Sequence, residues 1–504
     1  MKKMMKRIGA LALSAVIAAG FAMVAGTPMT VCAKDDNYTY NYDWWGDVQD
    51  SPNFYTVDGV YTSSELGLEK KLVNPQGLFV KGDMVYICDS GNNRILELKR
   101  DGKSLEVKRI IADFRGKADV KTFSNPTDVA VSEEGDIYVA DQGNNRIVKL
   151  DENLNFLLQF EKPNDSALGA DAVFSPSKIA IDTAGRVYCS AKGINLGLIK
   201  YEADGTFSSF VGATKVKFNL TDYIWKKFAT QEQKDRMVSF VPTEYDNLYM
   251  DYEGFIYACS GNLSDEDIDS GSSAVRKLNL IGNDILVQNG EWGVYGDLYT
   301  GEGGGYSGPS RFKDVTTLDN DVYACMDQNR GRIFGYDDQG HMMFAFGGNG
   351  NMNGYFKMPS AIEHMGQDLL VLDSMDCSLT IFRPTEFGRL VYQAMDQFDQ
   401  GEYDASGQTW EKVMQLNGNY DLAYIGIGRS LLRQERYEEA MEYFELKYDG
   451  DNYSLAFKQY RKQWVEDHIV VIMIVVLALI LIPLTVGKVK AIKHEIDIAD
   501  IFRR

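Results

Sequence analysis

The chain has 504 residues, 45% of them hydrophobic, and carries 72 acidic against 52 basic side chains for a net charge of −20. That length and apolar content allow more than one buried core. The acidic balance excludes nucleic acid as a natural partner, because such a surface repels phosphate backbones, and four histidines in all argue against a multi-histidine zinc centre.

The first 33 residues read as an export signal. Lys2, Lys3, Lys6 and Arg7 form a basic start, residues 8–24 an apolar stretch, and Val31-Cys32-Ala33 a small-residue cleavage site, with the cut after Ala33. Lipidation of Cys32 is rejected, because Met29-Thr30-Val31 lacks the Leu and small residues that such a site requires. Residues 34–72 then hold an aromatic stretch (38–45) and a predicted strand (55–63).

From residue 73 to 384 one phrase recurs six times. An apolar strand ends in Asp or a small residue, and a polar turn leads into a second strand. VYICDSGNNRILEL from Val85 and IYVADQGNNRIVKL from Ile137 are the clearest copies, each preceded by Asn-Pro and an apolar run; weaker ones begin at Val187, Ile256, Val322 and Leu369. Units of several short strands at this period cannot bury both faces alone, so they predict a six-bladed β-propeller. The sixth unit has runs for three strands only, which predicts that the strand at 55–63 closes the ring as its outer member. Aligning the units on their apolar-Tyr pair puts Cys88, Cys259 and Cys325 in one column with Ala140, Ser190 and Leu372. That column predicts buried free thiols too far apart to bridge.

The phrases DSGNNRI (Asp89 to Ile95) and DQGNNRI (Asp141 to Ile147) resemble NHL repeats. In that family pattern Asp89, Asn93 and Arg94, with Asp141, Asn145 and Arg146, mainly hold the turn between second and third strands, since Asp and Asn satisfy turn N–H groups and Arg spans to a neighbour. The order of leader, NHL propeller, helical pair and membrane helix is similar to uncharacterised bacterial surface proteins found beside carbohydrate-uptake systems. The resemblance therefore implies a membrane partner of that kind.

Insertions on the scaffold mark candidate sites. Residues 212–242 interrupt the passage from blade three to four with a helical segment containing Trp225. Residues 261–273 lengthen a turn of blade four with Asp265, Glu266, Asp267 and Asp269, and residues 288–309 join blades four and five through Trp292, Tyr295, Tyr299 and Tyr306. All three are predicted to crowd one rim. Aromatic faces near carboxylates suit neutral sugars, although the same rings could simply pack the insertions onto the blades. The acidic turn offers oxygen ligands for calcium at Asp265, Asp267 and Asp269, but its spacing matches no known calcium loop and a solvated turn is the plainer reading, so no cofactor is expected.

Residues 385–467 switch to helical periodicity, and two stretches match at an offset of thirty-four, the tetratricopeptide (TPR) period, with Gly401-Glu402-Tyr403 against Glu435-Arg436-Tyr437. Residues 468–487 read as a transmembrane helix, since eighteen uncharged residues (469–486) are followed at once by Lys488, Lys490 and Lys493. Residues 488–504 would be a cytoplasmic tail. Of the net −20, the leader contributes +4 and the tail +2, leaving −26 on the part predicted to face outward.

Three functional classes stay open. The first is a membrane-anchored extracytoplasmic binding protein whose propeller recognises a carbohydrate or wall glycan and whose helical unit docks a membrane protein. The second is a gluconolactonase-like metal-dependent hydrolase, for which Asp128, Asp182 and Glu363 are channel candidates. The third is a pure protein scaffold.

Overall fold

The computed structural model describes residues 39–169, 172–212, 245–261, 273–290, 292–298 and 310–501. The leader, Trp225, Tyr299, Tyr306 and the acids Asp265, Asp267 and Asp269 lie outside them.

Six antiparallel sheets make up the β region, and their inner strands touch one another in a closed ring, the sixth against the first. This is a six-bladed β-propeller. The second strand of each blade is sandwiched between neighbouring blades, so it is apolar on both faces: every residue of Ile137–Asp141, Val187–Ala191 and Tyr323–Asp327 is buried. Blade four has three described strands rather than four.

Three N-terminal strands complete the ring. β3 (Tyr55–Tyr61) pairs along the third strand of blade six (Ser378–Pro384) and supplies its outer edge. The aromatic stretch ahead of it forms a hairpin, β1 (Tyr40–Tyr42) and β2 (Val48–Asp50), and β1 adds to the outer strand of blade five (Met342–Gly347). Blade five thus becomes a six-stranded sheet, which the repeat pattern does not foretell.

The repeated phrase is a brace. Asp141 accepts hydrogen bonds from Arg146 Nε (2.9 Å), Asn144 Nδ2 (2.8 Å) and the Ser124 backbone N–H (2.7 Å), while Arg146 Nη2 donates to the Val120 carbonyl (2.8 Å). Asp89, Asn92 and Arg94 repeat this in blade one. Asn93 and Asn145 hold φ of 56° and 54°, the left-handed region that Asn tolerates better than most residues. A Cβ on Gly143 would sit 2.7 Å from the Ser124 carbonyl oxygen, which is why the turn carries glycine there.

The cysteine column needs one correction. In blades one and four the Tyr stands three residues before the position that Asp89 takes in blade one (Tyr86 to Asp89, Tyr257 to Ser260), whereas Tyr323 stands four before Asp327, the residue that pairs with Arg332 as Asp89 pairs with Arg94. Cys325 therefore points to the opposite face from Cys88 and Cys259. Successive residues of a strand alternate faces, so Cys259 and Cys325 end in the same core between blades four and five, both as buried free thiols.

After blade six, Thr385 caps α1 (Glu386–Asp399) by accepting from the Gly388 N–H, and α2 (Tyr403–Leu416), α3 (Asp421–Arg433), α4 (Tyr437–Leu446) and α5 (Gly450–Ile501) follow through short loops, each packed on the next. Close packing needs its small residues: a Cβ on Gly428 would come within 2.6 Å of the Phe444 ring. The helices share one core with blades five and six. Phe54 packs between Phe344 and Phe387, the latter edge-to-face, Tyr55 and Tyr392 join hydroxyls at 2.8 Å, and Tyr420 donates to the Met343 carbonyl (3.1 Å). α5 then runs unbroken for 52 residues into the apolar stretch, which no described residue buries.

Asp141→Ala should be costly, since it strands a buried guanidinium and an unpaired turn N–H. A loss of about 3–5 kcal/mol in urea unfolding is expected. A loss below about 1 kcal/mol would show that the brace is dispensable.

Candidate functional site

Among the described residues, polar side chains converge at the propeller axis and in a cleft along the seam between the propeller and the helices.

At the axis, inner strands expose edge N–H groups that no further strand pairs. Blades two, three and five each carry a β-bulge just before one residue, Asp128, Lys178 and Asp314 respectively. A bulge re-aims the following side chain, here into the axis. Asp128 Oδ2 accepts from the Ile179 N–H of the next blade (2.9 Å), and Asp314 Oδ2 accepts from Ile362 N–H of its next blade (2.8 Å). Lys178 Nζ lies 3.5 Å from Asp128 Oδ1, and Asn247 Nδ2 donates to Asp314 Oδ1, which also accepts the Val315 N–H. Glu363 lines the same channel from blade six, near Thr316.

Burial sets the charges. It raises Asp128 to about 6, against the pull of Lys178 and the Ile179 N–H, and it raises Asp314 and pushes Glu363 well above the carboxylate range. Burial lowers the Lys178 pKa, but Asp128 and Asp314 together outweigh it and hold the pKa above the ordinary lysine value. One ammonium is shared by two carboxylates, so neither is fully compensated.

These residues do not fit a resident divalent metal. Lys178 already supplies the positive charge, and both oxygens of Asp128 and of Asp314 accept hydrogen bonds from the protein. The channel widens into a cavity of about 580 Å³ toward the turns joining first and second strands. Of the three channel candidates, Asp128 and Glu363 face it. Asp182 sits in a turn at its mouth, tied to Arg186 (2.5 Å) and to the N–H groups of Ala184 and Arg186. Sequence reasoning missed Lys178, Asn247 and Asp314. A usable signal was there for two axial positions, since Asp128 and Lys178 each stand two residues after the Pro that opens the strand.

The seam cleft, about 340 Å³, is bounded by the β1–β2 hairpin, the start of the link between blades four and five, and the α4–α5 corner. The structure places Trp292 here and not on the expected rim. Asn289 donates to the Gln339 carbonyl (2.7 Å), so the link first passes the turn between the third and fourth strands of blade five, on the opposite face from blade-to-blade links. Trp292 is 38% exposed, its indole N–H donates to the Asp43 carbonyl (3.1 Å), and its ring covers Gly46. Trp44 and Tyr448 face each other nearby at 5.4 Å. Tyr295 does not join them: it folds over Gly293 and packs against the core between blades four and five.

Asp297, which the sequence did not single out, anchors this arrangement. Its buried carboxylate takes bonds from the hydroxyls of Tyr40 and Tyr42 and from Arg332, with Arg330 at 3.3 Å, and so ties the N-terminal hairpin to the link. Burial and the Asp297 charge push both phenols well above their usual pKa. Lys447 pairs with Asp421 at 2.6 Å on the other wall. His341 lines the cleft; burial would lower its pKa, but Asp337 at 2.9 Å outweighs that and holds it above the ordinary value.

Among known proteins, the NHL repeat family model matches residues 123–150, and no curated protein matches the chain. Solved structures similar to it include a catalytically inactive virginiamycin B lyase from Staphylococcus aureus with quinupristin, at 13% identity over 62% of this chain and 81% of that one, with a TM-score of 0.37. A streptogramin B lyase shares 13% identity over 65% and 98% (TM-score 0.38). A Bacteroides thetaiotaomicron protein of unknown function shares 10% over 69% and 76% (TM-score 0.39). These likenesses carry no argument about activity.

Lys178→Met tests the axial charge balance. The stability that Asp128 contributes through its raised pKa is complete below the ordinary carboxylate value and is lost as pH rises through about 6, worth about 3 kcal/mol for that shift. Removing the ammonium raises the carboxyls further. The variant should therefore lose about 3–5 kcal/mol at pH 7 and clearly less at pH 5 in thermal or urea unfolding. Equal losses at both pH values would contradict the shared-ammonium arrangement.

Proposed function

We propose that the protein is a membrane-anchored extracytoplasmic binding protein whose propeller and helices together hold a carbohydrate, a wall glycan or a related neutral sugar, in the seam cleft. The observation that carries this reading is the presence of Trp44, Trp292 and Tyr448 in the lining of one cleft that also carries the polar Asn41, Asp43, Asn289 and Asp451 beside the apolar Leu298, Met342, Leu422 and Ile425. Ring faces stack on the C–H face of a sugar while carboxylates and amides take its hydroxyls. An outward-facing part with a net charge of −26 suits an uncharged ligand better than an anionic one.

The helical unit is assigned as a TPR pair that docks a membrane protein, in keeping with a carbohydrate-uptake system. Gly401 and Glu435, thirty-four residues apart, both take left-handed backbone (φ 81° and 63°) at the same place ahead of α2 and α4, which supports two equivalent units. The exposed apolar stretch of α5 is the anchor, with its basic flank at Lys488, Lys490 and Lys493 on the cytoplasmic side.

Two measurements test this. Full-length protein in nanodiscs is screened on a glycan array; a specific hit weakened about tenfold or more by Trp292→Ala or Trp44→Ala supports the cleft, a loss of about 1.4 kcal/mol. Binding indifferent to both substitutions, or retention of a protein in place of any glycan, moves the assignment to a scaffold. In membrane fractions, the chain should resist alkaline carbonate extraction, and deletion of 468–487 should release it; release of the intact chain would refute the anchor.

A further inference from the structure

The seam cleft does not end at its aromatic mouth. A second cavity of about 480 Å³ shares Asn289, His341, Asp449 and Asp451 with it. A third, of about 350 Å³, shares Phe398 and Arg429 with the second. The three form one groove that follows the seam from the β1–β2 hairpin, past the turn at Asp337–His341, to the α1–α3 face opposite Tyr252. Together they exceed the roughly 300–1,000 Å³ of a typical small-molecule pocket.

The chemistry changes along this length. At the mouth are the aromatic rings. At the junction of the second and third cavities, Arg429 lines both, lies over the Phe398 ring (4.8 Å) and makes no hydrogen bond to a described residue, which leaves donors for a ligand. Arg433 and Gln459 line the middle together with Asp449 and Asp451; Asp338 and Asp399 lie beyond. A polyanion would meet these acids, and a polycation would meet the two arginines.

Resting on the glycan reading above, we infer that the ligand is an extended, uncharged oligosaccharide: its first residues stack on Trp44, Trp292 and Tyr448, and later residues give their hydroxyls or acetamido carbonyls to Arg429. The mouth supplies affinity for a short end, and the rest of the groove selects for length. Arg429 acts here as a direct ligand contact some distance along the seam from the rings.

The probes are neutral oligomers of one to six units, β-1,4-linked N-acetylglucosamine and α- and β-1,4-linked glucose, titrated against full-length protein in nanodiscs by calorimetry. For at least one series, Kd should fall about tenfold or more between dimer and hexamer. Arg429→Ala and Arg429→Gln should each remove most of that gain while leaving dimer affinity unchanged, whereas Trp292→Ala weakens both lengths. Thermal melts equal to the parent's confirm that the Arg429 variants are folded. Affinity that is flat with length, or a hexamer indifferent to both Arg429 variants, overturns the extended site and leaves the short-glycan reading standing. Failure of every series to bind removes the extended site and the glycan reading together.

Discussion

Everything in this molecule depends on closing the ring. A blade buries both faces only when it has neighbours on both sides, and a ring with an unpaired outer strand at its last blade would expose an edge and open the core beside it. Closure by β3 brings the N-terminal segment to blade six, next to the point where the chain leaves the propeller. Phe54 and Tyr55, which enter that strand, become the floor on which α1 and α3 pack. Both ends of the β region and the helical unit are thereby fixed against blades five and six, and the seam between them exists because closure happens there.

The axis shows how a fold with unpaired inner edges handles them. The bulges turn Asp128 and Asp314 toward the next blade's N–H groups, which satisfies backbone donors at the expense of burying carboxylates. Lys178 offsets part of that cost, and the raised pKa values record what it leaves uncompensated. A propeller of this kind can hold a cation at its centre, but here the chain supplies its own, which weakens the metal-dependent hydrolase reading. The repeat braces and the axial bridges are therefore committed to partners within the protein.

The seam also adjoins the helix that carries the candidate membrane span. Asp449 and Gly450, where α5 begins, line the aromatic cleft, and the same helix continues without a break into the apolar span. One rod carries the cleft wall into the apolar region, so the cleft and the candidate membrane span share a helix.

The sequence by itself determined what is local or repeated. Asp141, Asn145 and Arg146 announce their turn because each partner lies within a few residues or one repeat. Apolar strands at a fixed period require a closed ring, and eighteen uncharged residues ahead of three lysines are long enough to cross a bilayer. Tertiary structure decided what depends on register and on distant segments. A one-residue offset at Tyr323 turned Cys325 toward Cys259, and a bulge, invisible in composition, aimed Lys178 at Asp128 across a blade boundary. Trp292 was legible as an aromatic in a glycine-rich link, but its neighbours Trp44 and Tyr448 lie some 250 residues before and 150 after it. No pattern along the chain encodes that meeting, because it follows from the path of the link and the closure of the ring.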